Sequence, residues 1–325
     1  MPSAPAPRIW VPYTAEELGY PEARFPQRLG PVAVVPTIPL DGDGKPVLPE
    51  GAETVEFFTF PYLQNDRGAA LLSGLPRLRV AQTLTAGVDN VLPLLPSGVT
   101  LCNARGVHDA STAELALALA LASLRGLPRF VRDQDRGVWD QTFHTSLADR
   151  TVLIVGYGSI GEAIERRLLP FEVADVVRVA RSARTHANGP VHAFTELPEL
   201  LPSADVVVLV LPLTEESRQL VDAGFLARMK DGALLVNVAR GPIVDTAALL
   251  AELGSGRISA ALDVTDPEPL PAGHPLWSAP NVLISPHVGG ASTAFGPRAR
   301  RLVRAQLDRL ERGELPANAV AGPGA

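Results

Sequence analysis

From residue 151 onward, short apolar runs rich in β-branched residues recur between segments of helical periodicity. The runs at 151–155 and 204–211 show the pattern of strands buried on both faces, and 175–180, 232–238, 258–264 and 282–285 read as further strands. Segments 162–169, 217–229 and 246–253 read as the intervening helices, with Asp245 capping the last and Gly254 and Gly256 ending it. Strands separated by helices pair in parallel through right-handed crossovers, so the pattern predicts an α/β fold with a doubly wound parallel sheet.

Before residue 151 the pattern is irregular. Strands are expected at 32–35 and 78–82, and Asp41-Gly-Asp-Gly44 reads as a turn. Its acidic spacing does not fit a calcium loop. Thr83-Leu-Thr-Ala-Gly-Val-Asp89 is a small-residue loop leaving a strand, and the free N–H groups of such a loop can hold a carboxylate. Residues 103–108 form a polar connector. The segment 114–125, opened by Ser111-Thr-Ala-Glu114, is a helix apolar nearly all round, which predicts burial between domains or subunits. Residues 129–149 are polar but carry Trp139 and Phe143, which fit either an interface or packing over their own domain.

Composition narrows the classes. A chain of 325 residues, 46% hydrophobic, can bury more than one core. A net charge of -6 argues against a nucleic-acid or anionic-membrane surface. Lys45 and Lys230 are the only lysines, and abundant Ala and Pro accompany the arginines, so arginine content reflects composition bias and is no functional signal. Cys102 is the only cysteine, which excludes an internal disulfide and a cysteine-rich metal site. The Pro-rich residues 1–7 read as a mobile arm without signal-peptide character. The longest apolar run, 115–124, is too short to span a bilayer, so a soluble cytoplasmic protein is expected.

The chemistry centres on the run 151–155 and the glycines beyond it. Gly156, Gly158 and Gly161 stand at G-x-G-x-x-G spacing between a strand and a helix. Gly156 allows the tight turn, Gly158 lets a pyrophosphate approach the backbone, and Gly161 lets helix and strand pack closely. The helix N-terminus offers N–H groups and positive dipole to phosphates. Ligands of such sheets gather at the carboxyl ends of the strands. There stand Arg240 after 234–238, Glu268 after 258–264 and His287 after 282–285. Together they supply an anion holder, a carboxylate and a proton donor that the carboxylate can tune.

With these motifs the sequence resembles the D-isomer-specific 2-hydroxyacid dehydrogenases. The resemblance rests on Val155-Gly-Tyr-Gly-Ser-Ile-Gly161, Leu211-Pro-Leu-Thr-Glu-Glu-Ser217, Leu235-Val-Asn-Val-Ala-Arg-Gly241, residues 263–271 and Ser285-Pro-His-Val-Gly-Gly290, and more loosely on residues 111–114 and 85–89. It covers the chain from about residue 78; the first 75 or so residues carry no motif. It implies a discontinuous α/β substrate domain, 1–101 plus 288–325 with a helix at 297–312, and a dinucleotide-binding Rossmann domain, 102–287, with the active site in the cleft between them. It also implies a homodimer formed through the cofactor domain.

The resemblance further places Arg240 on the carboxylate and carbonyl of a 2-keto acid, with the backbone of Ala86 and Gly87 on the carboxylate. His287 exchanges the proton, and Glu268 raises its pKa. Asp263 is expected to orient the nicotinamide carboxamide, with cofactor contacts also at Ser159, Ile160, Leu211, Pro212, Val238, Ala239 and Gly289. Formate dehydrogenases of this fold carry glutamine before the histidine, so Glu268 argues for a hydroxy acid. Phosphite-oxidising relatives retain all three groups, and related corepressors bind protein partners, although no added peptide-binding segment is present here. Dinucleotide folds that prefer NAD end their second strand with an acid. Here that position is Arg181, followed by Ser182 and then Arg184, so NADP is the expected cofactor, with NAD as the alternative.

Overall fold

The computed structural model describes residues 8–323 and 325; the arm expected at residues 1–7 lies outside them. The chain forms two compact units. One comprises the residues up to His108 and those from Thr293, the other Asp109–Ser292. Both crossings fall a few residues later than the expected 101/102 and 287/288 boundaries, for a physical reason. The connector at 103–108 is bonded into the first unit: Asn103 N–H donates to the Asn318 carbonyl (3.0 Å), Ala104 N–H to that of Thr85 (2.9 Å), and the His108 ring pairs with Leu84 O (2.8 Å). The segment after His287 is bonded instead to Asp263 in the second unit.

In the first unit β1 (Ile9–Val11), β2 (Val32–Val34), β3 (Phe57–Thr59), β4 (Val80–Gln82) and β5 (Thr100–Cys102) pair in parallel, and α1 (Asn65–Leu71) precedes β4. Only β2 and β4 were legible as strands. All five are three residues long, too short to carry a periodicity of their own, and β2 and β4 stood out only through the longer runs around them, 32–35 and 78–82.

The second unit opens with α2 (Asp109–Leu124) and α3 (Leu127–Asp135). α2 buries Ala113, Ala116, Leu117 and Ala120 with Val152, Ile154 and Ile164 in that unit's own core. The helix α3 falls where a polar linker is expected; Gly126 in the left-handed region and Pro128 in the first turn start it. Then follow β6 (Thr151–Val155), α4 (Ser159–Leu168), β7 (Asp175–Ala180), the hairpin strands β8 (Arg184–His186) and β9 (Gly189–Ala193), and α5 (Leu197–Leu200). β10 (Val206–Leu209), α6 (Ala223–Arg228), β11 (Leu234–Asn237), α7 (Thr246–Ser255), β12 (Ser259–Leu262) and β13 (Val282–Ile284) complete it. The helix expected at 217–229 shrinks to α6. Val221 is extended because its N–H donates to Ile243 O (3.0 Å) and its carbonyl accepts from Asp245 N–H (3.0 Å), and Asp222 then caps the helix.

The remaining elements, α8 (Phe295–Glu311) and β14 (Ala319–Ala321), return to the first unit, where β14 pairs antiparallel with β5. The sheet there has the order β14-β5-β4-β3-β1-β2.

The second sheet has the order β13-β12-β11-β10-β6-β7-β9-β8, parallel except at the edge pair β8–β9. This is the doubly wound arrangement, with its reversal between β6 and β10. One row of paired residues crosses the sheet: Val179, Val155, Leu209, Asn237, Leu262 and Ile284. The strands therefore end level, and the residues beyond them emerge along one rim. Among the described residues no single helix is long and apolar enough to cross a membrane.

Candidate active site

The rim begins at the glycine turn after β6. Gly156 has φ +107°, and a Cβ there would lie 2.5 Å from Val210 O, so only glycine fits under the turn that follows β10. A Cβ on Gly161 would lie 2.8 Å from Gly156 O, which keeps α4 close against the turn. A Cβ on Gly158 would project into open space instead, leaving the backbone accessible to a pyrophosphate. Ser159 and Ile160 begin α4 beside it, and Ser159 Oγ donates to Asp109 (3.3 Å). The Leu211 side chain is buried in the core and Pro212 is exposed. Leu211 therefore offers the rim only backbone.

At the end of β11, Asn237 builds the turn that carries Arg240. It is buried; its Oδ1 accepts from Ala239 N–H (3.0 Å) and its Nδ2 donates to Arg240 O (3.0 Å). Val238 and Ala239 are buried within that turn. A Cβ at Gly241 would lie 1.8 Å from the Thr265 carbonyl, so this turn presses directly on the segment leading to Glu268. Thr265 in turn donates through Oγ1 to Pro267 O (2.9 Å).

Asp263, at the end of β12, is 2% exposed and holds the segment that carries His287. Its Oδ1 accepts from Ser285 Oγ (2.6 Å) and Val288 N–H (2.9 Å), and its Oδ2 from Gly289 N–H (2.8 Å). Its backbone carbonyl accepts from His287 N–H (2.8 Å). The carboxylate expected to orient a carboxamide is thus occupied chiefly in fixing this loop, although Oδ2 retains acceptor capacity. Gly289, expected at the cofactor, is buried against Asp263. His287 itself has φ +52°, a conformation rare for a residue with a side chain.

His287 Nδ1 hydrogen-bonds to Glu268 Oε1. This bond raises the His287 pKa; burial and the Arg240 charge oppose it, while the charges of Glu268 and Asp263 add to it. Burial pushes the Glu268 carboxyl up, but the His287 bond and charge, a Thr265 N–H and Arg240 outweigh it and hold the carboxyl below its ordinary range. Arg240 therefore acts electrostatically on both partners, and all three groups share one rim. Its guanidinium also donates to Ala239 O (2.7 Å).

At the end of β7, Arg181 and Ser182 are exposed and bond to no described residue. Arg184, expected to assist there, donates from its guanidinium to the Tyr157 carbonyl (2.5 Å), inside the glycine turn. In the first unit, Thr85 Oγ1 accepts from Asn65 (2.7 Å) and donates to Gly87 O (2.8 Å), and Asn103 Nδ2 donates to Ala86 O (2.9 Å). These bonds draw carbonyls inward, while the N–H groups of Ala86 and Gly87 bond to no described residue. Sequence reasoning missed Asn237 and Thr265 as organisers. Asn237 carried a signal, a polar residue ending an apolar strand; Thr265 carried none.

A direct check is NMR titration of His287. Its pKa should lie above the usual value of about 6.5, and Glu268→Gln should move it downward. An unchanged value in the glutamine variant would break the proposed coupling.

Residues 117–289 match the family model described as D-isomer specific 2-hydroxyacid dehydrogenase, NAD binding domain. Glyoxylate/hydroxypyruvate reductase B of Citrobacter koseri is 38% identical over 233 residues, 69% of this chain and 72% of that protein. A D-isomer specific 2-hydroxyacid dehydrogenase from Xanthobacter autotrophicus, solved with NADPH and MES, is 29% identical and superposes with TM-score 0.75 over 97% of this chain and 98% of that one. An NADPH-dependent glyoxylate/hydroxypyruvate reductase from Sinorhizobium meliloti, solved with NADP and malonate, is 26% identical with TM-score 0.75, covering 97% of each chain. The glycine turn and the arginine, glutamate and histidine of the rim thus stand in a chain that belongs to the D-isomer-specific 2-hydroxyacid dehydrogenase family, NAD(P)-dependent oxidoreductases that move a hydride between a pyridine nucleotide and a 2-keto or 2-hydroxy acid.

Proposed function

We propose that this protein reduces a small 2-keto acid of the glyoxylate or hydroxypyruvate class, with NADPH as the preferred reductant and Arg240, Glu268 and His287 as the catalytic residues. The observation that carries the reading is the Glu268–His287 hydrogen bond on the same rim as Arg240. The names of the Citrobacter and Sinorhizobium relatives support the substrate class.

The residues fit a dinucleotide. The accessible backbone at Gly158 and the start of α4 suit a pyrophosphate, with the turns at Pro212 and Ala239 beside it on the rim. The nicotinamide supplies the hydride when bound. Arg240 binds the planar anion and polarises its carbonyl as negative charge develops on the oxygen. The charged His287 ring donates its Nε2 proton to that oxygen, while Glu268, on Nδ1, holds the ring in orientation and favours its charged form. Reduction therefore needs His287 protonated, and it fades as pH rises through the raised pKa. Oxidation needs the neutral ring. The N–H groups of Ala86 and Gly87 suit the substrate carboxylate.

NADPH preference rests on Arg181 and Ser182, whose donors are unengaged, and on the lack of an acid at the end of β7. The Xanthobacter and Sinorhizobium structures, which hold NADPH and NADP, are consistent with it. A homodimer is supported by exposed apolar surface on and after α3: Leu127 (49%), Val131 (60%), Trp139 (94%) and a fully exposed Phe143. Neither aromatic residue packs over its own domain.

Three outcomes are expected. Arg240→Ala should lower kcat/KM for glyoxylate or hydroxypyruvate by about 10²–10³, partly in kcat, and near-normal turnover by the folded variant would remove Arg240 from the site. The wild-type kcat/KM should be higher with NADPH than with NADH, and Arg181→Asp should reverse the preference; a wild-type ratio at or below unity would falsify the cofactor reading. Light scattering should give the mass of a dimer, and Trp139→Ala with Phe143→Ala should give a monomer. A monomeric wild type sinks the dimer.

A further inference from the structure

The bend of residues 181–183 joins β7 to β8. Its first end is rigid, because β7 lies inside the sheet between β6 and β9. Its second end is not, because β8 is the edge strand and pairs with β9 alone. What else holds the hairpin decides where Arg181 and Ser182 stand.

Side-chain bonds to Tyr157, the residue between the first two glycines of the turn, and to its partner Glu165 hold it. At the start of β8, Arg184 donates to the Tyr157 carbonyl (2.5 Å). At the β8–β9 turn, Asn188 Nδ2 donates to Tyr157 Oη (2.9 Å) and to Glu165 Oε2 (3.3 Å). The His186 ring also stands edge-on to the Tyr157 ring at 5.2 Å. Tyr157 and Glu165 are each 2% exposed, and Tyr157 Oη donates to Glu165 Oε2. Arg178 in β7 pairs with both oxygens of Glu165, through Nε at 2.9 Å and through its terminal nitrogen. That pairing neutralises the buried carboxylate, whose charge would otherwise oppose a phosphate bound nearby. A buried and satisfied network of this kind has one low-energy arrangement.

We propose that Tyr157 and Asn188 form a clamp that sets cofactor selectivity: they hold the β8–β9 hairpin against the glycine turn so that Arg181 and Ser182 meet the 2′-phosphate of NADPH. The clamp rests on the NADPH reading above. Tyr157 and Asn188 are positioning residues, acting through the bend, and they couple the pyrophosphate turn to the recognition of the ribose phosphate.

The test is calorimetric binding of adenosine 2′,5′-bisphosphate and of 5′-AMP to the full chain, for the wild type, Asn188→Ala, Tyr157→Phe, Arg181→Ala and the Asn188→Ala/Arg181→Ala pair. The wild type should favour the bisphosphate. Loss of one clamp bond should reduce that preference about 3–10-fold, with a matching rise in KM for NADPH relative to NADH. Because the clamp acts through Arg181, the double variant should be no less selective than Arg181→Ala alone. If either clamp variant keeps the wild-type preference, weakens both ligands equally, or adds its full effect to that of Arg181→Ala, the clamp is wrong while the NADPH reading stands. A wild type that does not discriminate removes the NADPH reading and the clamp together.

Discussion

The buried carboxylate of Asp263 fixes the geometry on which the site depends. A charged group with so little exposure is tolerated only when its oxygens are well bonded, and here the partners all come from one short loop. Ser285, Val288 and Gly289 converge on it, and His287 sits between them in a left-handed conformation that an unsupported histidine rarely adopts. The loop's shape is therefore imposed by the end of a neighbouring strand. Because β11, β12 and β13 end in register, the same constraint brings His287 to the rim on which Arg240 and Glu268 stand.

Steric contact does for Arg240 what hydrogen bonding does for His287. The absence of a side chain at Gly241 lets its turn press on the Thr265 carbonyl, and Asn237 secures the same turn from beneath. The electrostatics follow from this packing. Glu268 is pulled below its ordinary range and His287 above its own, so the pair carries its ionic form where an isolated histidine would be losing its proton. Arg240 opposes the charge on the ring, and the net upward shift shows that the carboxylate outweighs it.

The nucleotide side of the unit is organised by an analogous polar device. Tyr157 and Glu165 are buried and bonded, with Arg178 supplying the compensating charge. Tyr157 thereby joins the strand-to-helix turn after β6 to an edge hairpin on the other side of β7.

Six strands of the doubly wound sheet are written in the amino-acid order, because their apolar runs stand out between helical segments. So is the chemistry at the rim. Arg240, Glu268 and His287 come directly after such strands, and parallel topology obliges their loops to share one edge. The strands β1, β3 and β5 of the first unit, the interruption at Val221, and α3, whose apolar residues face outward, were not legible. Local pattern is silent there because the deciding partners are distant along the chain: Ile243 for Val221, Asn318 for Asn103. The contacts of Asp263 and Arg184 depend on distant partners in the same way. The sequence led to the expectation of cofactor contacts for both, and only the fold decided that Asp263 also gathers the histidine loop and that Arg184 reaches the glycine turn.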